Sequence, residues 1–288
     1  MSEISHLSNV AAEKLNLSDE ERIHHINQPH WIAYPRAVET MQKLEDLLRY
    51  PKQPRMPNML LVGETNNGKT ALMHEFLLRH PPGENADETA LKVPVFYIQA
   101  PPGPDEAHFY NTILKRLFHR IKTSESLAQK RERVIGVLAQ IELGMIVIDE
   151  FQGLIAGPLQ KQRMFLNVIK NLGNELQVPI VGVGTEEAER AVYIAPQLRN
   201  RFRPHRLERW EDGPEFARLL ASFESILPLK LPSNLIERLT RRYILAQTGG
   251  TIGEVSYLLK LAAVMAIRSG KEIMDLDILK SCGYESPT

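Results

Sequence analysis

The sequence predicts an α/β fold, with a parallel sheet flanked by helices, followed by a smaller helical domain. Three observations predict it. Four short apolar runs, at residues 58–62, 93–98, 145–148 and 178–184, alternate with helix-forming stretches. That alternation is the mark of a parallel sheet buried on both faces. A glycine-rich turn joins the first run directly to a helix. From about Glu211 the pattern becomes purely helical, with breaks at Pro228, Pro232 and Gly249-Gly250.

Taken in order, residues 1 to about 30 are polar, with Asp19-Glu20-Glu21-Arg22 and His24-His25, and read as an arm or a short helix. His24, His25 and His30 could suggest a metal, but no carboxylate or cysteine cluster supports one, and they read as solvated. Trp31-Ile32-Ala33-Tyr34-Pro35 leads into an amphipathic helix from about Arg36 to Tyr50, with Leu44, Leu47 and Leu48 on its buried stripe. Pro51, Pro54 and Pro57 break the chain before the first strand. After the second strand, the turn Pro101-Pro102-Gly103-Pro104-Asp105 precedes a helix with Phe109, Ile113, Leu114 and Leu117 on one side. Lys115, Arg116, His119, Arg120 and Lys122 lie near its end. The third strand runs into Asp149-Glu150, and the fourth ends at Thr185.

Size and composition set bounds. The 288 residues suffice for one large α/β domain and a smaller one. Hydrophobic residues make up 43% and charged residues 24%, as in ordinary globular proteins. Thirty-five basic residues balance 35 acidic ones, so any nucleic-acid contact must come from a local patch. The single cysteine, Cys282, allows neither an internal disulfide nor a zinc site. A single cysteine makes a reducing cytoplasm the expected location; the first residues carry no apolar signal core, and no apolar run approaches the roughly 20 residues of a membrane span.

The first chemical signal is Gly63-Glu64-Thr65-Asn66-Asn67-Gly68-Lys69-Thr70, which fits the P-loop pattern G-x-x-x-x-G-K-[ST]. Its context is strand, glycine turn and helix, as phosphate binding requires. The glycines let backbone N–H groups turn inward around an anion, and the helix start adds unpaired donors. Lys69 suits the β- and γ-phosphates, and the Thr70 hydroxyl suits Mg2+. ATP with Mg2+ is the expected cofactor.

Asp149 and Glu150 are the second signal. An acid at the carboxyl end of a buried strand lies where open α/β sheets bind ligands. Asp149 suits the Mg2+ shell and Glu150 the activation of an attacking water, although the pair also suits a helix N-terminus. Thr185 suits either a γ-phosphate contact or a helix cap. Leu198-Arg199-Asn200-Arg201-Phe202-Arg203 reads as a solvated face or as the source of a guanidinium for a neighbouring subunit's nucleotide.

The ordered set GETNNGKT, MIVIDE, VGVGT and LRNRFR, followed by helices, resembles the AAA+ ATPases. The phrases WIAYPRAVETMQKLEDLL and RMPNMLLVGETNNGKTALMHEF, with IDEFQGLI, narrow this to the TniB/TnsC-type transposition ATPases, over about residues 25–275. The resemblance implies a P-loop NTPase fold in three parts: an N-terminal arm at 1–30, a nucleotide-binding domain at 31–208 and a helical lid at 209–288. It implies an ATPase that assembles on double-stranded DNA as a homo-oligomer, ring or filament. Its partners would be a DDE transposase and a target-selection protein. Asp149 and Glu150 become the Walker B pair, Thr185 the sensor-1 residue, and Arg199 or Arg201 the finger. Where many relatives carry a sensor-2 arginine stands Glu254. A carboxylate pairs with phosphate only through a metal, so either Arg268 or another cation substitutes, or turnover is slow. Lys115, Arg116, Arg120, Lys161 and Arg163, which follow the second and third strands, are candidates for DNA contact, and family analogy puts Lys161 and Arg163 near the inner surface of such rings; each is also readable as a solvated helix charge. Such residues would grip phosphates without reading base sequence.

Three other readings compete. An AAA+ replication initiator or helicase loader is one, although initiators often append a helix-turn-helix domain for which 288 residues leave little room. A small-molecule P-loop kinase leaves the arginine cluster and the helical domain unexplained. A non-catalytic ATP-binding scaffold conflicts with intact Lys69, Thr70, Asp149 and Glu150.

Overall fold

In the computed structural model, residues 6–84, 91–194 and 200–286 are described. The elements in chain order are α1 (Asn9–Lys14), α2 (Asp19–Asn27), α3 (Pro35–Leu48), β1 (Asn58–Gly63), α4 (Lys69–Arg79), β2 (Gly83–Glu84), β3 (Leu91–Lys92) and β4 (Val95–Gln99). Then come α5 (Glu106–Arg116), α6 (Leu127–Gln140), β5 (Met145–Asp149), a 3-10 turn (Phe151–Ile155), α7 (Leu159–Leu176), β6 (Ile180–Gly184), α8 (Glu186–Ile194) and β7 (Phe202–Leu207). Four helices follow: α9 (Pro214–Ile226), α10 (Arg238–Thr248), α11 (Ile252–Arg268) and α12 (Leu276–Ser281). They form two compact units. One holds Arg36–Thr65 and Lys69–Leu207; the other holds the described part of Met1–Pro35, Asn66–Gly68 and Glu208–Thr288.

The first unit is a five-stranded sheet in the order β4-β5-β6-β1-β7. Every pairing in it is parallel. Alternate residues of a strand face opposite sides of a sheet. Leu60, Val62, Ile98, Ile146, Ile148 and Ile180 join one apolar core with Phe109, Ile113, Val134, Leu138, Phe165 and Ile169 of α5, α6 and α7. Leu61, Val147, Val181 and Val183 alternate with that set and are also buried. Both faces are therefore covered, which explains why these strands read as unbroken apolar runs.

β7 is a strand that sequence reading did not anticipate. It pairs along all of β1, from Asn58↔Phe202 to Gly63↔Leu207. Only its ends, Phe202 and Leu207, are buried, and cations interrupt the alternation between them. An edge strand has one unpaired side and tolerates Pro204 and the charges. Arg203 thus belongs to an edge strand.

The second unit contains α1, α2 and α9 to α12. A capping box at Ser18 and Glu21 opens α2. Arg22, on α2, is 1% exposed and donates to both Glu272 oxygens, at 2.9 and 2.5 Å, and to the Pro228 carbonyl at 2.6 Å. The buried Glu224 carboxylate accepts the backbone N–H groups of Ser233, Asn234 and Leu235 at 2.7 to 3.0 Å. Among the described residues no single helix is long and apolar enough to cross a membrane.

Candidate functional site

Parallel register brings three strand ends to one edge of the sheet. Val62 of β1 pairs with Gly184 of β6, and Gly182 of β6 pairs with Ile148 of β5. Gly63, Asp149 and Thr185 therefore leave the sheet side by side, at the edge where such sheets bind ligands.

Lys69 opens α4 and is 9% exposed. Its ammonium donates to the carbonyls of Gly63 at 2.7 Å and Glu64 at 2.6 Å. Burial lowers its pKa, while attraction to Asp149, Glu150 and Glu64 opposes that shift. No carboxylate among the described residues lies at ion-pair distance from this buried cation. Such a cation suits an anionic ligand.

Asp149 is 4% exposed and uses both oxygens. One accepts the Glu150 backbone N–H at 2.8 Å. The other accepts the Thr70 hydroxyl at 3.4 Å and the Tyr97 hydroxyl in a short bond. Tyr97 comes from β4, the strand next to β5. Burial first, then the bond to Asp149, raises the pKa of its phenol. The Thr70 hydroxyl and the Asp149 carboxylate together form two sides of a hard-cation site. Among the described residues no cluster of three or more His, Cys, Asp or Glu side chains could hold a metal. An ion here would need phosphate and water as further ligands, which is how Mg2+ is usually bound with nucleotides.

Glu150 is exposed, adopts a left-handed backbone (φ 54°) and starts the 3-10 turn. Its carboxylate accepts a short bond from the Gln152 amide. The oxygen of the same amide accepts the Thr185 backbone N–H at 3.3 Å. Gln152 thus links the acid after β5 to the residue after β6. The Thr185 hydroxyl is buried and has no hydrogen-bond partner among the described residues. An orphaned buried hydroxyl beside a phosphate-type loop suits contact with a bound ligand.

The tip of the loop, residues 66–68, is described with the helical unit. Asn66 and Gly68 are left-handed, at φ 61° and 80°. The Asn66 side-chain amide donates to Glu254 at 2.7 Å, and the Gly253 N–H donates to the Asn66 carbonyl at 2.9 Å. A β-carbon on Gly253 would lie 1.9 Å from the Asn66 side-chain oxygen, so only glycine allows this approach. The Tyr284 hydroxyl donates to the other Glu254 oxygen at 2.7 Å. Glu254 is therefore engaged in holding the loop. Arg268 ends the same helix 14 positions later, about 21 Å along its axis, too far to substitute at this place.

Arg199 lies outside the described residues. Arg201 is half-buried and donates to Asn174 at 2.8 Å within its own chain. Burial first, then Arg55, lowers its pKa. Lys115, Arg116, Arg120, Lys161 and Arg163 are all exposed on α5, the loop after it and α7. Sequence reading missed Tyr97, Gln152 and Tyr284 as participants. Gln152 lies in the IDEFQ phrase, where it served only the family resemblance, and Tyr97 is hidden inside an apolar run.

Comparison with known proteins gives the fold and the family. The chain is similar to the Aeropyrum pernix ORC2 protein in its ADPNP–ADP complexes, with a TM-score of 0.61 and 15% identity over 92% of this chain and 72% of that one. It is also similar to Cdc6p from Pyrobaculum aerophilum (TM-score 0.58, 16% identity, 90% and 68% coverage). A third likeness is to the A. pernix ORC1 protein in complex with DNA (TM-score 0.56, 17% identity, 90% and 68% coverage). At such identities the likeness is one of fold. No curated protein matches at the sequence level. The family model described as Bacterial TniB protein matches residues 22–212, well over half of the chain. With a P-loop, an acidic strand end and this parallel α/β core, the chain belongs to the TniB family.

Proposed function

We propose that this protein is an ATP-dependent DNA-binding regulator of DNA transposition. In this reading it oligomerises on duplex DNA as a ring or filament, marks the target and recruits and activates a DDE transposase. Residues 31–208 are the nucleotide-binding domain, 209–288 its lid and 1–30 an arm.

The observation that carries the reading is the convergence of Lys69, Thr70, Asp149 and Thr185 at one sheet edge in a TniB-family chain. Backbone groups from Gly63 to Gly68 cradle the phosphates, and Lys69 neutralises their charge. Thr70 and Asp149 would hold Mg2+, which supplies further neutralisation of charge on the β- and γ-phosphates. Glu150 orients and deprotonates the attacking water once its carboxylate leaves Gln152. Thr185 offers its hydroxyl to the γ-phosphate or to that water. Arg199 or Arg201 serves a neighbouring subunit's nucleotide; Arg201 would first have to leave Asn174. With Glu254 bound to Asn66, hydrolysis is slow and is stimulated by DNA or a partner.

DNA contact falls to Lys115, Arg116, Arg120, Lys161 and Arg163, all exposed. Few cations per subunit are enough, because an assembly repeats each contact and counterion release accumulates. The replication-initiator alternative has only the fold likeness behind it, whereas the family match favours transposition. Electron microscopy of the protein with linear duplex and a non-hydrolysable ATP analogue tests the reading. Ordered assemblies on DNA are expected, dependent on the analogue. A protein that stays monomeric under those conditions would reject it.

A further inference from the structure

Helix α5 ends on an unusual residue. Leu117 caps the helix, and Phe118 follows with φ 59°. The His119 N–H donates to the Leu114 carbonyl at 2.8 Å, and the Phe118 N–H donates to the Lys115 carbonyl at 3.0 Å. These two bonds define a Schellman motif, whose left-handed position usually holds glycine. A bulky side chain there is an outlier. Phe118 recovers nothing by packing, because it is 99% exposed. Strain kept without a structural return is a sign of function.

The surroundings identify the partner's chemistry. Residues 115 to 122 read Lys-Arg-Leu-Phe-His-Arg-Ile-Lys, four permanent cations and no carboxylate. Lys115, Arg116, Arg120 and Lys122 are exposed, and none forms an ion pair among the described residues. The nearest acid in sequence, Glu125, is already neutralised by Arg133 at 2.6 Å. The Arg133 guanidinium also bonds the Arg120 carbonyl, which fixes the turn. Ile121, 40% exposed, adds apolar surface beside the ring. An aromatic ring and an aliphatic side chain set among unpaired cations complement stacked bases flanked by phosphates.

We propose that Phe118 is a nucleic-acid wedge. Its ring inserts against a base step of duplex DNA while Lys115, Arg116, Arg120 and Lys122 grip the phosphates on either side. The proposal rests on the DNA-binding reading above and adds that the protein unstacks or bends the duplex at each contact. Steps that unstack easily, such as TA and CA/TG, would be preferred.

The test uses the full chain, a non-hydrolysable ATP analogue and a duplex carrying 2-aminopurine, with wild type, Phe118→Gly and Phe118→Trp. Binding of wild type should raise the 2-aminopurine fluorescence. Phe118→Gly should abolish that rise and weaken binding about five- to a hundredfold, the loss of one base–aromatic stack. Its salt dependence should not change, because the phosphate contacts remain. Its melting temperature should equal or exceed that of wild type, because glycine relieves the strain; this separates a lost contact from a lost fold. Phe118→Trp should keep both signals. Equal affinity and an equal fluorescence rise in Phe118→Gly would overturn the wedge and leave the DNA-binding reading intact. Unchanged DNA binding with lost self-assembly would make the ring a protein contact, and would also overturn it. Failure of wild type to bind duplex at all would remove the underlying reading and the wedge with it.

Discussion

Lys69 shows how a single side chain limits what the loop can hold. Its ammonium is buried and, among the described residues, bonded only to carbonyls, so an anion is the partner that would match its charge. Lys69→Ala should abolish ATP binding, measured by calorimetry, while leaving the melting temperature of the ligand-free protein close to wild type. Gln152 limits a different step. It holds the Glu150 carboxylate with one end of its amide and the Thr185 backbone with the other. Gln152→Ala should therefore raise basal ATP turnover, on the order of tenfold, by freeing the general base. A fall in turnover would show instead that Gln152 positions Glu150 for catalysis. The residue identities could be read in advance, but this bond could not. Gln152 and Thr185 are 33 positions apart, and only the pairing of β5 with β6 brings them together.

At the scale of elements, α2 is tied to its own unit by one buried ion pair. Arg22 and Glu272 are 250 positions apart and nearly inaccessible to solvent. Removing one partner strands the other's charge, so Arg22→Ala should destabilise the helical unit by about 3–5 kcal/mol in a denaturant melt. The pair also sets a pH dependence. Burial pushes Glu272 up, but bonds and charge from Arg22 and Lys230 outweigh it and hold the carboxyl at about 2, below the ordinary 4.5. A depressed pKa contributes stability that is complete above the ordinary value and is lost as pH falls through the folded value. Thermal melts should therefore weaken from about pH 4.5 towards about pH 2, and this slope should shrink in Arg22→Ala. Elements with strong local patterning, such as α3, β1 and β5, were legible in the sequence. β7 was not, because its burial is confined to its two ends and it exists only through its pairing with β1.

The whole molecule works, in the reading proposed here, as an assembly timed by nucleotide hydrolysis. Glu150→Gln should lower ATP turnover about 10²–10⁴-fold and prolong residence on DNA. Filter-binding or single-molecule dissociation rates measure this, and faster release than wild type would reject the assigned role. In the same reading, Glu254, bound to Asn66 and Tyr284, keeps the tip of the phosphate loop in place.

The sequence by itself determined the α/β class, the phosphate loop and the acidic strand end. Each of these is written in consecutive residues, where strand, turn and helix follow from local hydrophobic period and glycine placement. Tertiary structure alone decided which polar groups meet: Tyr97 with Asp149, Gln152 with Thr185 and Asn66 with Glu254. Those contacts depend on strand order and on backbone approach through space, and neither leaves a periodic trace in the chain. Phe118 lies between the two cases. Its letter stands among cations in the sequence, but only the folded backbone shows a glycine position held by an exposed ring.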